Sequence, residues 1–199
     1  MNVLLAESHK SPVLSIQMWV RTGSADEIKG EEGISHFIEH LVFKGSREFK
    51  VGEMAASVEA AGGEINAYTS FDQTVFYVTL SKEFEEVGMQ VISEMMGFPS
   101  FDVGEIDNER EVVIEEIKRS QDNLPRQASR LLFSTMYPKH PYGLPVIGFT
   151  ENIQNFSQAD ILNYFRARYN PENMTMVVVG DFATAKMRKK VEKFFGKFP

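Results

Sequence analysis

The order of apolar and polar positions predicts strands and helices that alternate along the chain. The segment 13–21 is rich in apolar and branched residues, which is typical of a strand, and Gly23 and Ser24 end it. In the segment 34–44 the apolar residues fall at relative positions 0, 3, 4, 7 and 8, which is one face of an amphipathic helix. Gly45 is expected to end this helix.

The same reasoning assigns the rest of the chain to a sheet and a helical layer. Two strands of a hairpin are predicted over 64–69 and 74–80, and a further strand over 174–179. Helices are predicted over 51–61, 83–96, 103–120, 125–136, 157–168 and 183–195, and a loop over 139–148. This alternation predicts an α+β fold with two layers, in which helices pack on one face of the sheet, and a single domain over residues 1–199.

Composition and charge exclude several classes of protein. With 43% hydrophobic and 25% charged residues the chain is typical of a globular protein, and it has no apolar run of the about 18 residues that a membrane span needs. The net charge of −7 disfavours nucleic acid, and the basic segment 186–190 is interpreted as the solvent-facing side of a helix. The absence of cysteine excludes disulfides. Because no targeting signal precedes residue 13, a cytoplasmic location is predicted, with no membrane partner.

The strongest chemical signal is the run from His36 to His40, which contains two of the four histidines of the chain. Each residue of a helix advances by about 100 degrees, so His36 and His40 lie one turn apart on the same face, with Glu39 at its edge. Two imidazoles in this arrangement can bind one zinc ion, and the carboxylate beside them can reach a water molecule on the metal. The opposite face of the helix is free to pack against the sheet.

The third ligand of such a site is not decided by spacing. A catalytic zinc ion takes three protein ligands and leaves one position for water. Without cysteine, the third ligand is His9, His140 or a carboxylate. The predicted helix over 103–120 offers five glutamates, which are Glu105, Glu109, Glu111, Glu115 and Glu116.

The two motifs together resemble those of the pitrilysin family, which includes insulin-degrading enzyme and the mitochondrial processing peptidase. The similarity extends over residues 13–195, and it is carried by the run from His36 to His40 and by a glutamate-rich segment at 108–117. The family spacing places the third metal ligand at Glu116, 76 residues after His40, and a glutamate that supports the ligands without touching the metal at Glu109. The segment 62–69 is similar to the family strand that pairs with the substrate backbone, which implies substrate contacts at Asn66 and Ala67.

The resemblance implies a zinc-dependent metalloendopeptidase that hydrolyses extended peptides, with Glu39 as general base. Members of the family close two or more similar domains around the peptide, and the distal half contributes an arginine and a tyrosine. The chain ends soon after one such domain, so a second similar domain or chain is expected to close the active site.

Two other functions are compatible with part of this pattern. S-ribosylhomocysteinase uses a similar helix, but it completes its metal site with a cysteine, which this chain lacks. Some pitrilysin relatives are non-catalytic core or regulatory subunits that have lost the zinc residues, whereas all of these residues are present here.

Overall fold

The computed structural model describes residues 1–196 and residue 198, so Lys197 and Pro199 lie outside the described residues. Within that range the chain forms five strands and eight α-helices. The strands are β1 (Asn2–Glu7), β2 (Val13–Val20), β3 (Glu64–Thr69), β4 (Thr74–Ser81) and β5 (Met174–Gly180). The helices are α1 (Ile34–Leu41), α2 (Glu53–Ala60), α3 (Glu85–Gly97), α4 (Val103–Gln121), α5 (Leu124–Met136), α6 (Thr150–Asn155), α7 (Gln158–Arg168) and α8 (Thr184–Phe195).

All five strands belong to one sheet, in the order β1-β5-β2-β4-β3. The strand β1 runs parallel to β5, and every other neighbouring pair is antiparallel. The hairpin predicted over 64–80 is present as β3 and β4, with Asn66 opposite Tyr77. Because β3 lies at an edge of the sheet, its outer backbone groups have no strand partner among the described residues.

One face of the sheet is buried under helices, as the sequence predicts. Along β2 the buried residues Leu14, Ile16, Met18 and Val20 alternate with half-buried ones, which is the pattern of a strand covered on one side. The helix α1 packs on this face with its apolar stripe inward, and Phe37 and Ile38 are fully buried. The predicted α+β class with helices on one face is therefore confirmed.

The structure adds two elements that the sequence pattern did not reveal. The first residues of the chain form β1, which pairs with β5 more than 170 residues later. Five of its six residues are exposed, so it carries no alternation from which a strand could be predicted. The short helix α6 follows Gly148 within two residues, and a helix of six residues gives too little periodicity to be detected.

Several predicted helix boundaries also shift. The helix α1 ends at Leu41 instead of Lys44, and Gly45, with φ of 100°, follows after an intervening turn. The helix predicted over 83–96 begins at Glu85, because a 3₁₀ turn over Lys82–Phe84 precedes it, and the side chain of Ser81 before that turn makes no cap hydrogen bond. Ser157 does cap α7, with Asp160 completing a reciprocal pair of hydrogen bonds. Every helix of the described residues is too short or too polar to span a lipid bilayer.

Phe37 tests how strongly α1 depends on the core. It is fully buried, and its ring stacks on Phe156 with a centroid distance of 6.3 Å. We expect Phe37→Ala to lower the free energy of unfolding by about 3–5 kcal/mol, because the substitution leaves a cavity. Val112→Ala on the exposed side of α4 is the control and should change it by less than about 0.5 kcal/mol. Urea denaturation followed by circular dichroism measures both, and similar losses in the two variants would contradict this account of the core.

Candidate metal centre

Two helices bring three possible metal ligands together. His36 and His40 project from α1, with ring centroids 4.7 Å apart, and Glu116 projects from α4. Oε2 of Glu116 lies 3.8 Å from Nε2 of His36 and 3.6 Å from Nε2 of His40. One ligand atom from each of the three residues lies within 4.8 Å of the others.

The ring of His40 is oriented by a buried carboxylate on α4. Nδ1 of His40 lies 2.9 Å from Oε1 of Glu109, and Oε2 of Glu109 forms an ion pair with Nζ of Lys44 at 2.6 Å. Glu109 is only 5% exposed. Burial raises the pKa of Glu109, but the hydrogen bonds to His40 and Lys44 lower it below its ordinary value overall, so the group remains a carboxylate. The other ring nitrogen of His40, Nε2, is thereby directed towards Glu116.

The two histidines have opposite electrostatic environments. Burial, and then the positive charge of His40, lower the pKa of His36 to about 4, so this ring is neutral at pH 7. Burial also disfavours charge on His40, but Glu109 and Glu116 outweigh it and raise the pKa of His40 to about 9. A metal ion at Nε2 of His40 therefore competes with a proton.

Glu39 lies beside the three ligands and has a hydroxyl partner from the sheet. Its Oε2 accepts a hydrogen bond from Oγ1 of Thr69, the last residue of β3. Burial raises the pKa of Glu39 above its ordinary value, and the bond from Thr69 opposes this effect. The carboxylate is thus held close to the cluster, with its basicity increased by its surroundings.

The cluster fits a zinc ion by the chemistry and spacing of its donors. Two imidazole nitrogens and one carboxylate oxygen are a ligand set that catalytic zinc uses, and ligand atoms of tetrahedral zinc lie about 3.3 Å apart. The nitrogen–oxygen distances of 3.6 and 3.8 Å are close to that spacing and too long for direct hydrogen bonds. Nδ1 of His36 is buried without a hydrogen-bond partner among the described residues, so this ring, unlike that of His40, has no polar group that fixes its orientation.

The other candidates for the third ligand lie elsewhere. Glu115 points away from the cluster and pairs with Lys118 and Arg119 at 3.6 and 3.7 Å. His9 lies at the far end of the sheet between Glu7 and Asp181. The remaining candidates are not part of the cluster either, and they are Glu105, Glu111 and His140.

The two residues expected to contact substrate lie on the edge strand β3. Asn66 is exposed, and its Oδ1 accepts a hydrogen bond from the backbone N–H of Ala67. Ala67 is half-buried against the core. Because Thr69 ends the same strand beside Glu39, the open edge of β3 leads to the cluster.

A buried carboxylate holds the first turn of α1. Gly33 precedes α1 in a left-handed conformation, with φ of 103°, and provides no side-chain cap. Glu27 takes this role from the preceding loop, because its two oxygens accept hydrogen bonds of 2.8 and 2.9 Å from the backbone N–H groups of Gly33 and Ser35. The hydroxyl of Ser35 bonds in turn to that of Tyr164 at 2.8 Å. Burial raises the pKa of Glu27 to about 7, against the effect of its backbone hydrogen bonds.

Two glycines fix a loop against the same turn. A Cβ atom on Gly33 would lie 2.8 Å from Cα of Gly148, and one on Gly148 would lie 2.2 Å from the carbonyl oxygen of Glu32. Both glycines also have positive φ. The backbones therefore cross where no side chain fits, which places the loop 144–148 beside the start of α1.

Sequence reasoning missed three residues that support the cluster. Lys44 lies four residues after His40 and eight after His36. This spacing in the sequence indicates that all three side chains lie on one helical face. Thr69 and Glu27 gave no local signal, because their contacts with Glu39 and with the first turn of α1 depend on how distant segments pack.

A mixed α/β domain that joins a His-x-x-Glu-His helix to a glutamate of a second helix has the arrangement of a metal-dependent peptidase. The comparisons with known proteins specify the family. The family model for insulinase, peptidase family M16, matches residues 2–150, and the model for the peptidase M16 inactive domain matches residues 155–199. The chain belongs to the insulinase family, peptidase family M16, and the resemblance to pitrilysin-type peptidases is confirmed.

Relatives with known names support this assignment. The beta subunit of the mitochondrial-processing peptidase of Blastocladiella emersonii is 31% identical over 100% of this chain and 43% of its own length. Zinc protease PqqE of Helicobacter pylori is 35% identical over 94% of this chain and 42% of its own. The crystal structure of a protease from Helicobacter pylori superposes with a TM-score of 0.94 at 32% identity, over 98% of this chain and 48% of that one. The chain thus spans less than half the length of these relatives.

Glu27 provides a test of how the start of α1 is held. We expect Glu27→Ala to lower the free energy of unfolding by about 1–3 kcal/mol, because two buried N–H groups lose their acceptors. Glu27→Gln keeps one acceptor and should lose less. Glu59→Ala, at an exposed position of α2, is the control and should lie within about 0.5 kcal/mol of the wild type. Chemical denaturation measures all three, and a Glu27→Ala variant as stable as the control would show that the cap contributes nothing.

Proposed function

We propose that this chain is the zinc-binding domain of a metalloendopeptidase that hydrolyses extended peptides. The observation that carries the proposal is the convergence of His36, His40 and Glu116 within 4.8 Å, with the Glu39 carboxylate beside them. The names of the relatives, which include a zinc protease, agree with this reaction class.

In this proposal His36, His40 and Glu116 hold the ion, and Glu109 orients the ring of His40. Hydrogen bonding from a ligand histidine to a carboxylate fixes which ring nitrogen faces the metal and raises its basicity. Lys44 keeps Glu109 in place from the other side, at 2.6 Å. The ligands are thus held in position by contacts between α1 and α4 before the ion arrives.

Glu39 is the proposed general base. A zinc ion held by His36, His40 and Glu116 would provide Lewis acidity, which polarises a scissile carbonyl and lowers the pKa of a bound water molecule. The Glu39 carboxylate accepts a proton from the attacking water and then delivers it to the nitrogen of the leaving amine. The hydrogen bond from Thr69 holds this carboxylate, and its raised pKa brings it closer to the working pH.

The open edge of β3 is the proposed binding site for the substrate backbone. An extended peptide that pairs with this edge gains main-chain hydrogen bonds that do not depend on its side chains. Asn66 and Ala67 lie on that edge, and Thr69 at its end lies beside Glu39. A bound peptide would therefore be led towards the catalytic carboxylate.

We further propose that residues 1–199 act as one domain, and that a second similar domain or chain closes over the cleft. The strand β5 falls within the second family match but lies between β1 and β2, so both matched segments contribute to one sheet. The chain spans less than half the length of its relatives, and one of these is named as a subunit. The cytoplasmic location stays a prediction. The non-catalytic subunit alternative predicts that zinc binds without supporting cleavage.

Zinc content tests the ligand set. We expect the wild type to hold one zinc ion per chain. Occupancy should fall to a small fraction in His36→Ala, His40→Ala and Glu116→Ala, because each substitution removes a ligand. Glu115→Ala is the matched control, since this neighbouring carboxylate pairs with Lys118 and Arg119 instead, and it should keep its zinc. Elemental mass spectrometry gives the stoichiometry, and full occupancy in Glu116→Ala would assign the third ligand to another carboxylate.

Glu39→Gln separates catalysis from metal binding. The substitution keeps the shape of the side chain but removes its ability to accept a proton. We expect unchanged zinc content and a loss of turnover of about 100-fold to 10,000-fold on an unstructured fluorogenic peptide. Zinc content and cleavage are measured on the same preparation. Wild-type turnover in the variant would refute the role of Glu39 as base, and zinc-loaded wild type that cleaves nothing would favour the non-catalytic alternative.

A further inference from the structure

A cavity of about 440 Å³ opens beside the metal centre. It lies between the end of β3, the helices α4 and α5, and the loop 144–148. His36 and Glu116 form the part of its wall that belongs to the metal centre, and Thr69 joins it to β3. A peptide paired with the edge of β3 would thus place a side chain at this cavity, next to the bond that is cleaved.

Much of the wall is apolar and held in place by aromatic contacts. Phe71 packs against Phe133 at a centroid distance of 5.2 Å and against Tyr142 at 4.6 Å. Four consecutive residues of the loop 144–148 complete the apolar part, and these are Leu144, Pro145, Val146 and Ile147. The loop is itself fixed against α1 by the close crossing of Gly33 and Gly148. These contacts therefore fix the apolar side of the cavity.

Two arginines supply the positive charge of the cavity. Arg126 and Arg130 lie one turn apart on α5, and both line it. Within residues 1–196 and residue 198, no carboxylate lies within 4 Å of either guanidinium group, and neither group donates a hydrogen bond. Glu116 is the one carboxylate in the lining, and in the proposed function it is committed to the ion. A chain of net charge −7 thus presents a positive site next to its candidate active centre.

We infer that this cavity selects peptides with an acidic side chain, glutamate in particular, next to the cleaved bond, and that Arg126 and Arg130 determine this preference. A guanidinium group binds a carboxylate through two parallel hydrogen bonds, and both arginines are exposed and thus accessible to an incoming side chain. The methylene groups of a glutamate side chain match the apolar wall, and its carboxylate reaches the arginines. This inference rests on the proposed peptidase function, because it assumes that a peptide lies along β3.

The test measures peptide binding to zinc-loaded protein that carries Glu39→Gln, so that cleavage does not consume the probe. Fluorescence anisotropy compares labelled, unstructured decapeptides in which one position is Glu, Gln or Lys and is moved along the sequence. We expect Glu at one or two adjacent positions to bind about tenfold more tightly than Gln. Adding Arg126→Gln and Arg130→Gln should reduce this ratio to about one, and Arg126→Glu with Arg130→Glu should reverse it in favour of Lys.

Arg119→Gln is the matched control, because this arginine of α4 pairs with Glu115 outside the cavity. It should keep the preference for Glu. Equal binding of the Glu and Gln peptides at every position, or a preference that survives removal of both cavity arginines, would overturn the inference and leave the proposed function standing. If zinc-loaded protein bound none of the peptides, both the inference and the proposed peptide site would be overturned.

Discussion

The packing of α1 between the sheet and α4 is the constraint on which the candidate site depends. The apolar stripe of α1 is buried on the sheet, with Phe37 and Ile38 fully enclosed, and this fixes the rotation of the helix about its axis. Since a helix has 3.6 residues per turn, fixing the stripe also fixes the direction of His36 and His40. They face α4, where Glu116 completes the cluster. One hydrophobic contact thus decides the position of the polar groups.

Buried hydrogen bonds then hold α1 in the orientation that its hydrophobic packing sets. Glu27 binds the first turn of α1, and Glu109 binds the ring of His40 near its last turn. A buried carboxylate is costly unless it is fully hydrogen-bonded, and both of these accept two partners. Such groups leave little freedom for the helix to slide or rotate. This rigidity suits a metal site, because ligands that are already in place lose little conformational entropy when the ion binds.

The surroundings of the cluster differ on its two sides. Towards β3, the open strand edge presents backbone groups without a strand partner among the described residues. Towards α5, the cavity offers an apolar wall and the guanidinium groups of Arg126 and Arg130, which we propose distinguish between side chains. In the proposed function, the backbone contacts that give affinity without sequence preference and the charges that give selectivity would therefore come from separate elements. Both elements meet at Thr69, which also holds Glu39.

The sequence by itself determined the elements whose signal is local. The stripe of α1, the hairpin of β3 and β4 and the capped start of α7 follow from periodicity and turn residues within a few positions, and all are present in the fold. The run from His36 to His40 is equally local, because one helical turn places both rings on one face. Glu116 was selected among the five glutamates of its helix only through resemblance to a known family.

Tertiary structure alone decided which distant groups meet. It excluded Glu115 and His140 from the cluster, paired β1 with β5, placed Glu27 under the start of α1 and gathered the two arginines of α5 beside the metal centre. The physical reason is the range of the interactions. Helix and turn preferences act between residues a few positions apart, so a single sequence records them. Contacts between segments tens of residues apart depend on how whole elements pack, and no local pattern encodes that.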